Sequence, residues 1–279
     1  MTIDFAGKRR QLDQDGYCLL ENIIDAAMLQ RLRAVTDEVL ARTDAAHFEA
    51  KRSQGSVIPV FEHPAMAELV AFPPVLAALA GLDFADPKWG SGFIISKPPH
   101  SPPLFWHQDG RFWDEPVCYT PQTIQCFLMI YLVDTTRQNG CLRVIPGSHI
   151  RRHPLHDLLP GAHAEDLGRM EDPEHLAYRQ AAGEVDVPVR AGDVVMGSAQ
   201  LLHAAHGNRS DRRRTNITLW YYPAFAEMPE AIQAYVAQLE AWPAAWYEQT
   251  RALTETLRPL YDGHAEPIGH NRNPGPALR

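Results

Sequence analysis

Residues 104–109 read LFWHQD, and two of these side chains could do chemistry together. His107 and Asp109 are two apart, so on an extended strand both leave by the same face. One neutral imidazole and one carboxylate on that face supply two of the three ligands of the 2-His-1-carboxylate facial triad of non-haem iron(II) oxygenases. Such a triad leaves the opposite positions open for a chelating co-substrate and for dioxygen. The pair alone is a weak signal, since a chain with 13 histidines yields about one H-x-D by composition. Three H-x-E pairs (His47/Glu49, His163/Glu165, His264/Glu266) are formal rivals. They fall in helical or irregular stretches, where the two side chains would not share a strand face.

A third ligand must be a histidine far along the chain, on a strand facing the first. Residues 201–222, LLHAAHGNRSDRRRTNITLWYY, offer His203 and His206. They also offer a cation for the far carboxylate of a dicarboxylate co-substrate, and arginine does that best with its planar fork. Arg214 begins an apolar strand. Alternation puts Arg214, Asn216, Thr218 and Trp220 on one face, suited to a polar pocket. Thr215, Ile217, Leu219 and Tyr221 take the other, suited to packing under helices. Arg212 and Arg213 read as solvated turn residues.

These residues need a scaffold. A short helix over 3–14 leads into the strand YCLLEN, and Asp25 caps an amphipathic helix over 26–42 with Leu29, Leu32, Val35 and Leu40 on one face. Helix is also expected over 64–81, interrupted near Pro73 and Pro74. From Trp89 to Tyr222, short β-branched and aromatic runs alternate with turns, which argues for a β sandwich or barrel. A polar stretch at 150–182 reads as an insertion or lid, helices return at 229–239 and 244–258, and the Pro- and Gly-rich end reads as irregular. The expected organisation is one domain spanning 1–279, mainly β, with N-terminal helices over about 1–85, a β core over about 89–222 and C-terminal helices over about 229–258.

With these elements in place, three blocks become recognisable. WHQD at 106–109, NGCLRVIPGSH at 139–149, and LLH at 201–203 followed five residues later by Asn208 and eleven later by Arg214 resemble the phytanoyl-CoA dioxygenase family. The resemblance runs from Ser96 to Tyr221 and more loosely through the N-terminal helices. It implies a double-stranded β-helix (jelly-roll) core, with Fe(II), 2-oxoglutarate as co-substrate and O2. It also implies His107, Asp109 and His203 as iron ligands and Arg214 as the holder of the 2-oxoglutarate C5 carboxylate. The family's arginine lies eleven residues beyond its distal histidine, which selects His203 over His206. Asn208 matches a family asparagine that orients the loop behind that histidine. Many members carry Ser or Thr two residues after the distal histidine, in contact with the co-substrate; here Ala205 stands there. Met129 falls where the family lines the co-substrate pocket, and Gln125 shares its inward alternation. PGSH at 146–149 reads as a turn leaving the barrel, and Lys97 as an exposed lysine, with lining of the site mouth as the alternative.

Related halogenases replace the triad carboxylate with a small residue, so Asp109 points to hydroxylation or another C–H oxidation, with succinate and CO2 as co-products. The segment after the triad, GRFWDEPVCYTP, supplies Arg111, Phe112 and Trp113 as candidate substrate contacts. Apolar walls with a cation suit a mid-sized organic molecule with a carboxylate or polar head, of the kind met in natural-product tailoring or catabolism. The alternatives are desaturation, cyclisation or epoxidation with the same cofactors, or a β-barrel binding protein without turnover.

The net charge of −8 disfavours nucleic acid as a partner. No run of eighteen apolar residues suggests a membrane span. No signal peptide is visible, and four cysteines without C-x-x-C spacing read as reduced thiols of a cytoplasmic protein. Oligomeric state is not legible.

Overall fold

Alternation along the central strands sorts their side chains between two environments, and that sorting builds the fold. The computed structural model describes residues 3–84, 86–159, 163–239 and 242–279. Its strands are β1 (Tyr17–Leu20), β2 (Ile58–Pro59), β3 (Lys88–Lys97), β4 (Leu104–His107), β5 (Cys126–Tyr131), β6 (Leu142–Val144), β7 (Val185–Val187), β8 (Val194–Ser198), β9 (His203–Ala205) and β10 (Arg214–Tyr222). They form two antiparallel sheets, ordered β1-β8-β5-β10-β3-β2 and β4-β9-β6-β7. Cys126, Leu128 and Ile130 of β5 and Ile217, Leu219 and Tyr221 of β10 face away from the smaller sheet, into one large apolar cluster with helical residues. The alternate residues Phe127, Met129 and Tyr131 meet Leu142 and Val144 of the smaller sheet. The result is a jelly-roll core with helices from both chain ends on one face.

The helices are α1 (Phe5–Asp15), α2 (Ala26–Ala41), α3 (Ala45–Ala50), α4 (Met66–Val70), α5 (Pro73–Gly81), α6 (Leu155–Leu158), α7 (Glu165–Arg169), α8 (Glu230–Leu239) and α9 (Ala244–Thr254). Asp25 caps α2, accepting from the Met28 N–H at 2.8 Å. Leu32 and Val35 carry its buried face with Val39, while Leu29 and Leu40 pack at the cluster's edge. Prolines divide the 64–81 stretch as expected, because Pro73 starts α5 at a position whose N–H needs no partner. The insertion packs Leu155, Leu159, Leu167 and Tyr178 on Phe105 and Trp106 of β4, so it covers the strand that ends in His107. Part of it, residues 160–162, lies outside the described residues. No helix among the described residues is long and apolar enough to cross a membrane.

The 146–149 turn is structural. Ser148 Oγ accepts from the Leu202 N–H at 2.9 Å, which fixes the entry to β9. His149 is buried against Gly16, whose φ of +83° ends α1 and where a Cβ would meet the imidazole at 2.6 Å. Burial pushes the His149 imidazole down to about 4 from its ordinary 6.5. The unfolded chain therefore binds this proton first as the medium acidifies. Stability is full above pH 6.5 and is lost as pH falls toward 4, by up to about 3 kcal/mol. His156, also held at about 4 by burial, adds to the same slope. In urea titrations between pH 4 and 7, His149→Asn should show a visibly shallower dependence of the midpoint on pH than the wild type. Parallel slopes would contradict this account.

Candidate metal and co-substrate site

β4 and β9 are antiparallel neighbours that place His107 opposite His203. Just past β4, the backbone N–H groups of Asp109 and Gly110 both donate to the Ala199 carbonyl at 2.7 Å. This turn brings the carboxylate up to the two rings. His107 Nε2 lies 3.9 Å from Asp109 Oδ1 and His203 Nε2 lies 3.8 Å from Oδ2. All three ligand atoms fall within 4.8 Å of one another. Each imidazole turns Nδ1 to the carbonyl two residues back, Phe105 O and Leu201 O, at 3.0 Å. Nδ1 thus carries the proton, and Nε2 offers its lone pair to the centre.

Burial, with His203 beside it, pushes His107 well below the usual imidazole range, so it stays in the neutral, ligating form. Burial alone would raise Asp109; His203, His107, His163 and Arg272 outweigh it and hold the carboxyl at about 2. Two imidazole nitrogens and one carboxylate, buried and aimed at one point, are the donor set of a facial iron(II) site. Trp220 Nε1 donates to Asp109 Oδ2 at 3.0 Å and fixes the rotation of that ligand. Trp220→Phe keeps an aromatic ring, though a smaller one, and removes the N–H; iron titration of the metal-free protein should then show roughly tenfold weaker binding. An unchanged affinity would remove Trp220 from the site's support.

The inward face of β10 leads away from the triad as a polar rail. Trp220 is followed by Thr218, then Asn216, whose Nδ2 donates to Thr218 Oγ1 at 3.0 Å, then Arg214, whose guanidinium donates to Asn216 Oδ1. Arg214 is buried, and its Nε has no hydrogen-bond partner. Lys97 lies opposite it in the β3–β10 register. The sequence reading of Lys97 as exposed is wrong: it is fully buried, and Nζ donates to Ser53 O and Pro102 O at 2.5 Å each. Burial, with Arg214 adjacent, pushes it well below the usual lysine range. A buried arginine with an unsatisfied N–H beside a second basic group is where an anion is most stabilising, which fits the distal carboxylate of 2-oxoglutarate.

Asn208, wholly buried, donates to Lys97 O, Pro98 O and Arg212 O at 2.7–3.2 Å and so ties the β9–β10 loop to the end of β3. Met129 lies on the inner face, its sulfur 3.7 Å from the Tyr131 hydroxyl. Gln125 is also buried, but its amide reaches Tyr222 at 3.4 Å, at the opposite end of β10 from Arg214. His206 pairs with Asp186 at 2.6 Å, away from the triad. Arg213 is not freely solvated: it is half-buried over the Phe48 ring and donates to Ser96 O at 3.0 Å.

The expected substrate residues divide. Arg111 lines a cavity of about 160 Å³ beside His107 and Asp109. Phe112 and Trp113 do not; they are buried in a cluster with Tyr222, Phe225, Ile232 and Tyr235. Two residues of the site escaped the sequence reading. His163, discounted with Glu165, brings Nε2 to 3.9 Å from Asp109 Oδ1. Arg272, in the irregular C-terminal segment, donates to the Asp109 carbonyl at 3.1 Å.

A family model, phytanoyl-CoA dioxygenase (PhyH), matches residues 12–216, which contain every triad residue and Arg214. The chain belongs to the phytanoyl-CoA dioxygenase family. Like its family, it is an iron(II)- and 2-oxoglutarate-dependent dioxygenase. It is 26% identical over 225 residues to an ectoine dioxygenase of Sphingopyxis alaskensis, covering 75% of this chain and 72% of the relative. It is 24% identical to a probable phytanoyl-CoA dioxygenase of Caenorhabditis elegans, covering 77% and 74%. Among solved structures, the α-ketoglutarate-dependent epimerase SnoN from nogalamycin biosynthesis superposes with a TM-score of 0.58 at 21% identity, covering 78% of this chain and 82% of that one. EctD from S. alaskensis, solved with 2-oxoglutarate and 5-hydroxyectoine, gives 0.57 at 23%, covering 79% and 76%. At these identities the structural likeness establishes the fold.

Proposed function

We propose that His107, Asp109 and His203 hold Fe(II), that Arg214 holds the distal carboxylate of 2-oxoglutarate, and that the enzyme hydroxylates an unactivated C–H bond of a small organic molecule in natural-product tailoring or catabolism. The observation that carries this reading is the polar rail of β10, which joins a complete three-donor site to a buried arginine with an unpartnered N–H. Iron(II) with 2-oxoglutarate supplies the oxidising chemistry, spending dioxygen and releasing succinate and CO2. The chain's own groups do the rest. Nδ1–H bonds to backbone carbonyls hold both imidazoles in register, Trp220 fixes the carboxylate, and Arg214 orients the co-substrate. The insertion and the C-terminal segment, through His163 and Arg272, limit water at the triad.

Asp109 favours hydroxylation over halogenation, because the carboxylate fills the position a halide would need. The proteins it resembles range from an ectoine dioxygenase to, in fold, an epimerase, so several C–H oxidations are compatible with this scaffold. The test is product analysis with small-molecule panels under 18O2. A product one labelled oxygen heavier than its substrate supports hydroxylation. A product two hydrogens lighter, with no label, would move the assignment to desaturation or ring closure.

A further inference from the structure

The cavity beside His107 and Asp109 is walled by Ile95, Phe93, Phe105 and Trp220, with Arg111 and Arg272 supplying positive charge. A second cavity, of about 190 Å³, lies among Trp106, Leu155, Leu159 and Leu202, and Arg272, His163 and His107 border both. Arg272 therefore stands where two apolar spaces meet next to the metal ligands. Its hydrogen bonds run to the Asp109 carbonyl at 3.1 Å, to His270 Nε2 at 3.1 Å and to His163 Nε2 at 3.3 Å. None of these partners is a carboxylate, and Asp109, whose charge also acts on it, belongs to the metal-ligand set.

The backbone that carries this guanidinium is anchored on both sides. Gln108 Nε2 donates to the Arg272 carbonyl, Asn271 N–H donates to Arg111 O at 2.8 Å, and Trp113 N–H donates to Asn271 O at 3.3 Å. A parallel bridge joins Phe112 to Asn271. The C-terminal segment thus lies along the loop that carries Asp109, and it delivers a fixed planar cation to an apolar cavity.

Resting on the reading of the site given above, we infer that the substrate carries an oxyanion (a carboxylate, or its sulfonate or phosphonate equivalent) on a compact apolar body, and that Arg272 receives that group. With Nε and Nη1 engaged, Nη2 is the amino group left to meet the anion, and a guanidinium so placed discriminates against neutral isosteres, which leave its charge unmet. Each cavity alone is smaller than the roughly 300–1,000 Å³ of drug-sized sites. The body is therefore small, unless it spans both spaces by displacing the His163 ring.

The test is ligand-observed NMR on the zinc-loaded protein with 2-oxoglutarate, where no turnover intervenes. The probes are hexanoate, cyclohexanecarboxylate, phenylacetate and hexanesulfonate, each against its primary amide, with hexylamine as a cation. At least one acid should bind ten or more times tighter than its amide. Arg272→Gln should remove that preference, and Arg272→Glu should reverse it, favouring hexylamine over hexanoate. Binding of Arg272→Glu to hexylamine also shows that the variant is folded. Equal affinity of acids and amides, no binding by any acid, or an acid preference untouched in both variants overturns the inference. The co-substrate assignment is scored separately, by 2-oxoglutarate binding to the wild type without probe, so the two failures are distinguishable.

Discussion

His203→Ala should abolish 2-oxoglutarate turnover, and His206→Ala should retain it, when succinate release is followed with iron in excess. The two histidines are three residues apart, and only the first shares the register of the metal pair. His203 stands opposite His107 across the β4–β9 ladder, with its Nδ1 committed to the Leu201 carbonyl and its Nε2 3.8 Å from Asp109. His206 is spent on Asp186. Losing an outer partner of a ligand costs roughly 10–100-fold in metal affinity, and losing the ligand itself should cost more. The iron content of the purified variant should fall together with its turnover. Equal losses in both variants would mean that the β9 register has been misread.

Arg214→Ala comes next in size. The side chain is buried; among the described residues it donates to Asn216 through one amino group, and Nε is left over. A charge-assisted pair made there is broken on the protein side by the substitution. The 2-oxoglutarate carboxylate is left desolvated, at a cost of about 3 kcal/mol, or roughly a hundredfold in affinity. The KM for 2-oxoglutarate should rise by about that factor, and Arg214→Lys should recover part of it without the bidentate geometry. Iron binding without 2-oxoglutarate should change little, because Arg214 touches no ligand. A variant that loses iron and co-substrate together would indicate a collapse of β10 instead.

Much of the framework around the candidate site was legible in the sequence because strand alternation is a local rule. The inward face of β10 and the outward Ile217, Leu219 and Tyr221 follow from period-2 reasoning, whereas β4 ends at His107 and a turn anchored on the Ala199 carbonyl, not a shared strand face, brings Asp109 beside it. The choice of His203 needed the resemblance, since composition offers His206 equally. What stayed hidden is set by distant packing. Lys97 reads as exposed beside two prolines, yet carbonyls from Ser53 and Pro102 accept from its Nζ in the interior. Phe112 and Trp113 follow His107 and Asp109 in sequence, but α8 covers them with Ile232 and Tyr235. Proline and glycine near the C-terminus correctly signal irregular backbone. They carry no information on where it lies, and so Arg272 went unseen.

The central claim is tested most directly by an anaerobic titration of the metal-free wild-type protein, first with Fe(II) and then with 2-oxoglutarate. The account predicts a weak visible charge-transfer band that saturates at one equivalent of each, from a keto acid chelated to iron in the His107–Asp109–His203 site. Iron bound without any band at saturating 2-oxoglutarate would contradict it.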